Sequence, residues 1–216
     1  MRDCVFFTAD STMRQALLGF LTRKDCFKHY NLGTAPFQFD ANEDLFASAT
    51  MDPGTYTTGE ELLKPFQNTH RHAVLMLDAD WDGSPGAETI RNDLTSRILA
   101  SGWSEGSFRV IVVDPELEAW IWQRNQRVAT ALKFGSVAEM VKAVQDAKVD
   151  WPDGEPKPSD PKKALEAVAT RRRGIGFSSA IHRSITATVS LVNCQDAAFL
   201  ELRQTLQGWF PLGGDA

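Results

Sequence analysis

The chain has 216 residues and a formal net charge of −5, with 43% apolar and 24% charged residues. That length and balance suit one sizeable α/β domain and exclude long disorder. The acidic total excludes a generic polyanion binder, and no apolar run approaches the ~20 residues of a membrane span. The charge is uneven, however: between Glu155 and Arg183 seven basic residues stand against three acidic ones, so that segment is +4 and the remainder −9.

Cys4–Thr8 predicts a first strand rather than the apolar core of a signal peptide. Asp10-Ser-Thr12 can cap the helix that follows, marked by Met13, Leu17, Leu18 and Leu21. Phe37-Gln-Phe39 suggests a weak second strand. Residues 40–58 read as loop, with a turn at Asp52-Pro-Gly54, and Glu60–Phe66 reads as a short helix limited by Pro65. His72–Leu77 is the strongest strand. Ile90, Leu94 and Ile98 make one face of the next helix, which Gly102 closes. Arg109–Val113 is a further buried strand. Strands alternating with helices predict an α/β fold with a mostly parallel, Rossmannoid sheet flanked by helices over residues 1–124. Beyond it the pattern is helical: Val137–Val149, Ala164–Arg172, Ser178–Val189 and Ala197–Trp209, with a proline-rich break at Trp151–Pro158. Residues 125–216 are expected to pack on the sheet core as a helical part of one domain, 1–216. Cys4, Cys26 and Cys194 show no CxxC or Cys/His ligand spacing, against zinc. The expected location is the cytoplasm, with reduced thiols and no membrane.

The chemistry concentrates at strand ends. His72–Leu77 discharges into Asp78, Asp80 and Asp82, then a turn, Gly83-Ser-Pro-Gly86. Buried parallel strands carry their functional groups just past their C-terminal ends. Three neighbouring carboxylates repel one another unless a proton or cation intervenes. Oxygen ligands of this kind suit Mg²⁺, or Mn²⁺ in its place. The plain alternative is that Asp caps helices and makes turns. Asp114, Glu116 and Glu118 follow the Arg109–Val113 strand, and Pro115 can open a helix there. Two residues apart, Glu116 and Glu118 cannot share a helix face, so one points at the site while the other is solvated. Asp10 ends the first strand. Together Asp10, Asp78, Asp80 and Glu116 form a candidate acidic rim, with Asp78, Asp80, Asp82 and Glu116 as candidate metal ligands.

An acid after the first strand, followed by Leu77-Asp-Ala-Asp80 ending a later one, resembles the Toprim arrangement of topoisomerases, primases and nucleases related to the overcoming-lysogenisation-defect proteins. Pro115-Glu-Leu-Glu-Ala-Trp120 is similar to a Glu-x-Glu-Ala-Trp signature of small bacterial Toprim-like families. Pro161-Lys-Lys-Ala-Leu-Glu166, Val189–Phe199 and Trp209-Phe-Pro211 look like the rest of such chains. The resemblance covers most of the chain, though each motif is short. It implies Mg²⁺ held by a glutamate and an Asp-x-Asp pair, phosphodiester chemistry, and a place beside other proteins of a methylation-associated anti-phage defence system. One departure matters: Thr8-Ala-Asp10 stands where Toprim enzymes carry a glutamate.

Arg171-Arg-Arg173 is the candidate contact for DNA or RNA phosphates, with a solvated helix end as the alternative. His70, His72 and His182 are not expected to be ligands. Most of the six tryptophans should be core. Trp81, inside the acidic loop, is the one on which a base or partner protein could stack. Walker A and GxGxxG patterns are missing. Two functions follow. One is a Mg²⁺-dependent phosphodiesterase, with Asp78 and Asp80 on the metal and Asp10 or Glu116 completing the shell or moving a proton. The other is a non-catalytic scaffold or sensor in a defence complex.

Overall fold

Four apolar runs pair into one all-parallel sheet: β1 (Arg2–Thr8), β2 (Leu45–Ala47), β3 (His70–Asp78) and β4 (Phe108–Val113), in the order β2-β1-β3-β4. The computed structural model describes residues 1–114, 117–171, 179–190 and 194–213. Around the sheet stand α1 (Ser11–Leu21), α2 (Met51–Leu63), α3 (Ala87–Ala100), α4 (Glu118–Ile121), α5 (Gln126–Ala131), α6 (Val137–Asp146), α7 (Pro161–Arg171), α8 (Ser179–Thr186) and α9 (Ala197–Trp209). The fold is therefore α/β and Rossmannoid, with a helical C-terminal part. Among the described residues no helix is long and apolar enough to cross a membrane.

Both faces of the sheet are covered. Gly59 of α2 lies against Leu75 of β3 and Leu94 of α3, while His72 of β3 stacks on Trp209 of α9 at 4.4 Å. Residues 72 and 75 are an odd number apart on one strand, so they face opposite ways. Phe20 of α1 meets Phe199 of α9 at 5.8 Å, placing α1 on the α9 side. Burial on both faces explains why β1 and β3 read as continuous apolar runs. It also removes two histidines from the surface: His72 packs between Trp209 and Phe210, and His70 is buried.

The second strand differs from the sequence reading. Phe37 and Phe39 do not pair; their rings pack on Phe6, and Phe37 also stacks on Phe210 at 4.5 Å. Aromatic burial satisfies them without a ladder. The strand is Leu45–Ala47, inside the stretch read as loop, and α2 begins at Met51. Asp52-Pro-Gly54 is that helix's first turn, where proline's missing N–H costs nothing. Likewise α7 begins at Pro161, before the expected Ala164, because the Asp160 carboxylate accepts the Lys163 amide at 2.9 Å.

At the N-terminal end of the sheet Asp44 is fully buried. Its carboxylate accepts from the Arg2 guanidinium and the Asp40 amide and hydrogen-bonds with His70 Nε2 at 3.0 Å. Burial alone would raise this carboxyl; Arg2, the Asp40 amide and His70 outweigh it and hold it below the usual carboxylate range. A depressed carboxylate contributes stability that is present above the unfolded value of ~3.9 and lost as pH falls through the folded one. Asp44→Asn should remove that contribution and cost about 1.5–3 kcal/mol at neutral pH by denaturant titration. An unchanged unfolding free energy would show that Asp44 does not tie β2 to β1 and β3.

Candidate functional site

The pairing of β1 with β3 sets Thr8 beside Met76. Two residues on, Asp10 and Asp78 leave adjacent strands at matched height, and the ladder persists there through the Ala9 amide to the Met76 carbonyl at 2.8 Å. In this strand order the chain turns from one side of β1 to the other, so Asp10 and Asp78 flank the point where an open α/β sheet forms its crevice. The structure thus brings the ends of β1 and β3, which carry Asp10 and Asp78, side by side.

A third acid joins them. Asp52, in the first turn of α2, accepts the Asp78 backbone amide at 2.7 Å. It is aimed there by Met51, whose φ of 58° is left-handed. For a residue with a Cβ that conformation costs about 1–2 kcal/mol. Burial pushes the Asp52 carboxyl up, the Asp78 amide opposes this, and the Asp10 charge adds to it.

The fourth is Glu118, opening α4 beyond β4. It is 6% exposed and lies 3.2 Å from Nε2 of His182, which is 1% exposed on α8. Burial would raise Glu118; the hydrogen bond and charge of His182 outweigh it and keep the carboxyl below its ordinary range. His182 Nδ1 is buried without a hydrogen-bond partner. Asp10 caps α1 by accepting the Met13 amide at 2.8 Å, so its capping role is real and leaves one oxygen for the crevice.

Asp78 bears the consequence. Burial, then the charges of Asp52, Glu118 and Asp10, push its carboxyl up to about 9 against a smaller opposing effect of Lys162. Its Oδ1 is buried without a hydrogen-bond partner. At neutral pH the proton does what a cation would do: it lets like charges share one pocket.

The remaining expected site residues fall elsewhere. Asp80 and Asp82 are exposed past the end of β3, and neither is among the groups acting on Asp78. Glu116, Arg172 and Arg173 lie outside the described residues, as does the side chain of Arg171. Trp81 is partly buried, 6.1 Å from Tyr56. Trp103, Trp120, Trp122 and Trp151 are core, as expected. Asp52 was missed because the start of α2 was read as a turn. His182 had a visible signal: with Ile181, Ile185 and Thr186 it forms the buried stripe of α8.

The donor set is all oxygen at its acidic core, and the orphaned Asp78 Oδ1 is the atom a hard cation would satisfy, so these residue types fit Mg²⁺ or Mn²⁺. Among the described residues, no three His, Cys, Asp or Glu side chains stand close enough to coordinate one ion as they are placed. Comparison with protein-family models, with curated proteins and with solved structures finds no match.

Proposed function

We propose that this chain is a bacterial anti-phage defence component whose Asp10–Asp52–Asp78–Glu118 cluster takes up Mg²⁺, or Mn²⁺, and acts on or binds nucleic-acid phosphodiesters. The observation that carries the cation is the crowding of these acids around one buried, unpartnered carboxylate oxygen at the sheet's crevice. The defence role and the phosphodiester substrate are supported by the Toprim-like motifs in the sequence. In this reading Asp78 and Asp52 would hold the ion, beside Asp10 at the end of β1. A divalent ion bound there would supply charge for a phosphoryl oxygen and acidify a water. Glu118, kept below its ordinary carboxyl range by His182, would serve as the base for that chemistry.

A second reading has its own support: Asp10 and Glu118 are already engaged by Met13 and His182, and no ready-made three-ligand site is present among the described residues. Here the cluster is retained in a scaffold or sensor subunit that binds other defence proteins.

One experiment separates the two. The purified chain is incubated with single- and double-stranded DNA and RNA in Mg²⁺ or Mn²⁺, beside Asp78→Asn and Asp52→Asn, and metal binding is measured by calorimetry. Metal-dependent cleavage lost by at least 10²-fold in both variants is the expected result, the usual scale for losing a charge-stabilising group. Metal binding without cleavage selects the scaffold. Absence of both overturns the cation site itself.

A further inference from the structure

After α1 the chain runs Lys24-Asp-Cys-Phe-Lys-His29, with cations on either side of a ring, and closes on Asn31-Leu-Gly-Thr34. Gly33, with a φ of 69°, permits the reversal. Turns hold the segment from within: the Asn31 and Gly33 amides donate to the Lys28 carbonyl at 2.8 and 3.0 Å, and the Thr34 amide to the Phe27 carbonyl at 3.2 Å. From outside, α9 fixes it. Arg203 and Gln207 donate to the Leu32 carbonyl, and Arg203 also to the His29 carbonyl. The Ala35 amide donates to the Phe210 carbonyl at 2.9 Å, which ties this segment to the stretch that follows α9. A cavity of about 460 Å³ lies between the two, with Leu212 as the contribution of the second.

The lining sorts by burial. Thr34 is 1% exposed, and its Oγ1 is buried without a hydrogen-bond partner. Phe27 is half-buried, and with Pro36 and Leu212 it makes the wall mostly carbon. Lys24, Lys28 and His29 are exposed, so the cations lie outermost. Among the described residues the ammonium groups of Lys24 and Lys28 have no ion pair or hydrogen bond. Asp25, the acid between them, is taken up by Arg23 at 3.2 Å. No carboxylate lines the cavity among the described residues.

We propose that this cavity binds a phosphate monoester carried on a ring, of the size of a nucleoside monophosphate. Each part of that ligand answers one observation. A mostly carbon wall with a few polar groups, in a volume within the ~300–1,000 Å³ of small-molecule sites, suits an apolar or aromatic body, and Phe27 and Pro36 offer it flat surface. Buried hydroxyls are almost always partnered, so the orphaned Thr34 Oγ1 calls for a polar atom on that body; a hydroxyl can donate to it or accept from it. Two lysines with no carboxylate to meet match the roughly −1.5 to −2 charge of a phosphate monoester at pH 7. A purely apolar ligand would leave both lysines and Thr34 unanswered, and inorganic phosphate would leave the carbon wall bare. None of these residues belongs to the acidic cluster, so this site and the cation site stand or fall separately.

Binding of AMP, GMP, CMP and UMP to the purified chain is measured by calorimetry in EDTA, so that metal at the acidic cluster plays no part. At least one should bind with a Kd of roughly 10–100 µM, the scale for a ligand of this size. Lys24→Gln and Lys28→Gln should each weaken it about 3- to 10-fold by removing a charge-assisted contact. Lys64→Gln, which removes the same charge outside the cavity lining, should leave it unchanged. Thr34→Val keeps the shape and deletes the hydroxyl. It should melt at or above the wild-type temperature, because an unpartnered buried group is gone, while binding falls about 3- to 10-fold. A hydroxyl with a purely structural role would not give that pair of results. Absence of binding by all four at millimolar concentration would overturn the site, as would displacement of the nucleotide by equimolar orthophosphate. So would adenosine binding as tightly as AMP, equal weakening by Lys64→Gln, or an unaltered affinity in Thr34→Val.

Discussion

In EDTA, wild-type stability falls as pH rises from 5 to 8 relative to Asp78→Asn, and millimolar Mg²⁺ restores the wild type alone. The sign follows from where the proton sits. Native Asp78 keeps its proton up to about 9, whereas an unfolded aspartate gives it up near 3.9. Between those values the native state binds more protons than the unfolded one, so unfolding becomes easier with every increment of pH. The slope from this one group is at most roughly 1.4 kcal/mol per pH unit, and it vanishes above about 9, where both states are ionised. Asparagine has no proton to lose, so the variant lacks this component and is the more stable protein at pH 8. A divalent ion reverses the account, because it stabilises the ionised carboxylate. At a hundred times its dissociation constant it adds about 2.7 kcal/mol, or roughly 5–11 °C in Tm for a chain of this size. Uptake displaces the Asp78 proton, so the Mg²⁺ effect grows from pH 6 to pH 8. Differential scanning fluorimetry of the two proteins over pH, with and without Mg²⁺, reads all of this. Parallel pH slopes, or equal Mg²⁺ shifts, would remove Asp78 from the centre of the site.

The acid on each central strand was legible because a period and a topology suffice. Apolar runs ending in Asp10 and Asp78 predict parallel strands, and parallel strands bring their ends together. The structure adds the register that sets the two acids level. Asp52 was illegible for a physical reason: Pro53-Gly54 imitates a turn while forming the start of a helix. The strand before it, β2, has only three residues, too short for alternation to show. Glu118 was left in competition with Glu116, since spacing shows that two glutamates diverge without saying which turns inward; the deciding partner, His182, lies 64 residues away. Sequence could place Asp80 and Asp82 beside Asp78 along the chain, yet the groups that act on Asp78 come from other elements. Contacts of that kind are set by tertiary packing.

Enlarging Gly19 should disable the site from a distance. This glycine sits on the face of α1 that receives α8, and a Cβ built on it would overlap Thr186 Oγ1 and the Arg183 carbonyl and lie 3.0 Å from Arg183 Cα. The hydroxyl could rotate away, but the carbonyl and Cα belong to a helix backbone and cannot yield without moving α8 as a body. Gly19→Ala should therefore cost about 1–3 kcal/mol and Gly19→Leu about 3 kcal/mol or more, by overpacking. Thr186→Ala in the same chain should recover little, since the backbone overlap remains. Glycine's usual helix penalty of about 1 kcal/mol means that alanine would stabilise an unpacked position, so the two outcomes differ in sign. The displacement has a chemical reading as well. α8 carries His182, and His182 outweighs burial to keep Glu118 ionised. With α8 pushed off α1, Glu118 loses that partner and its carboxyl rises, so any cleavage by Gly19→Ala should shift its acid limb to higher pH while wild type and Thr186→Ala coincide. A stabilised Gly19→Ala with an unshifted profile would mean that α8 is not held against α1 at this point, and the route from helix packing to the acidic cluster would have to run through α7 and Lys162 instead.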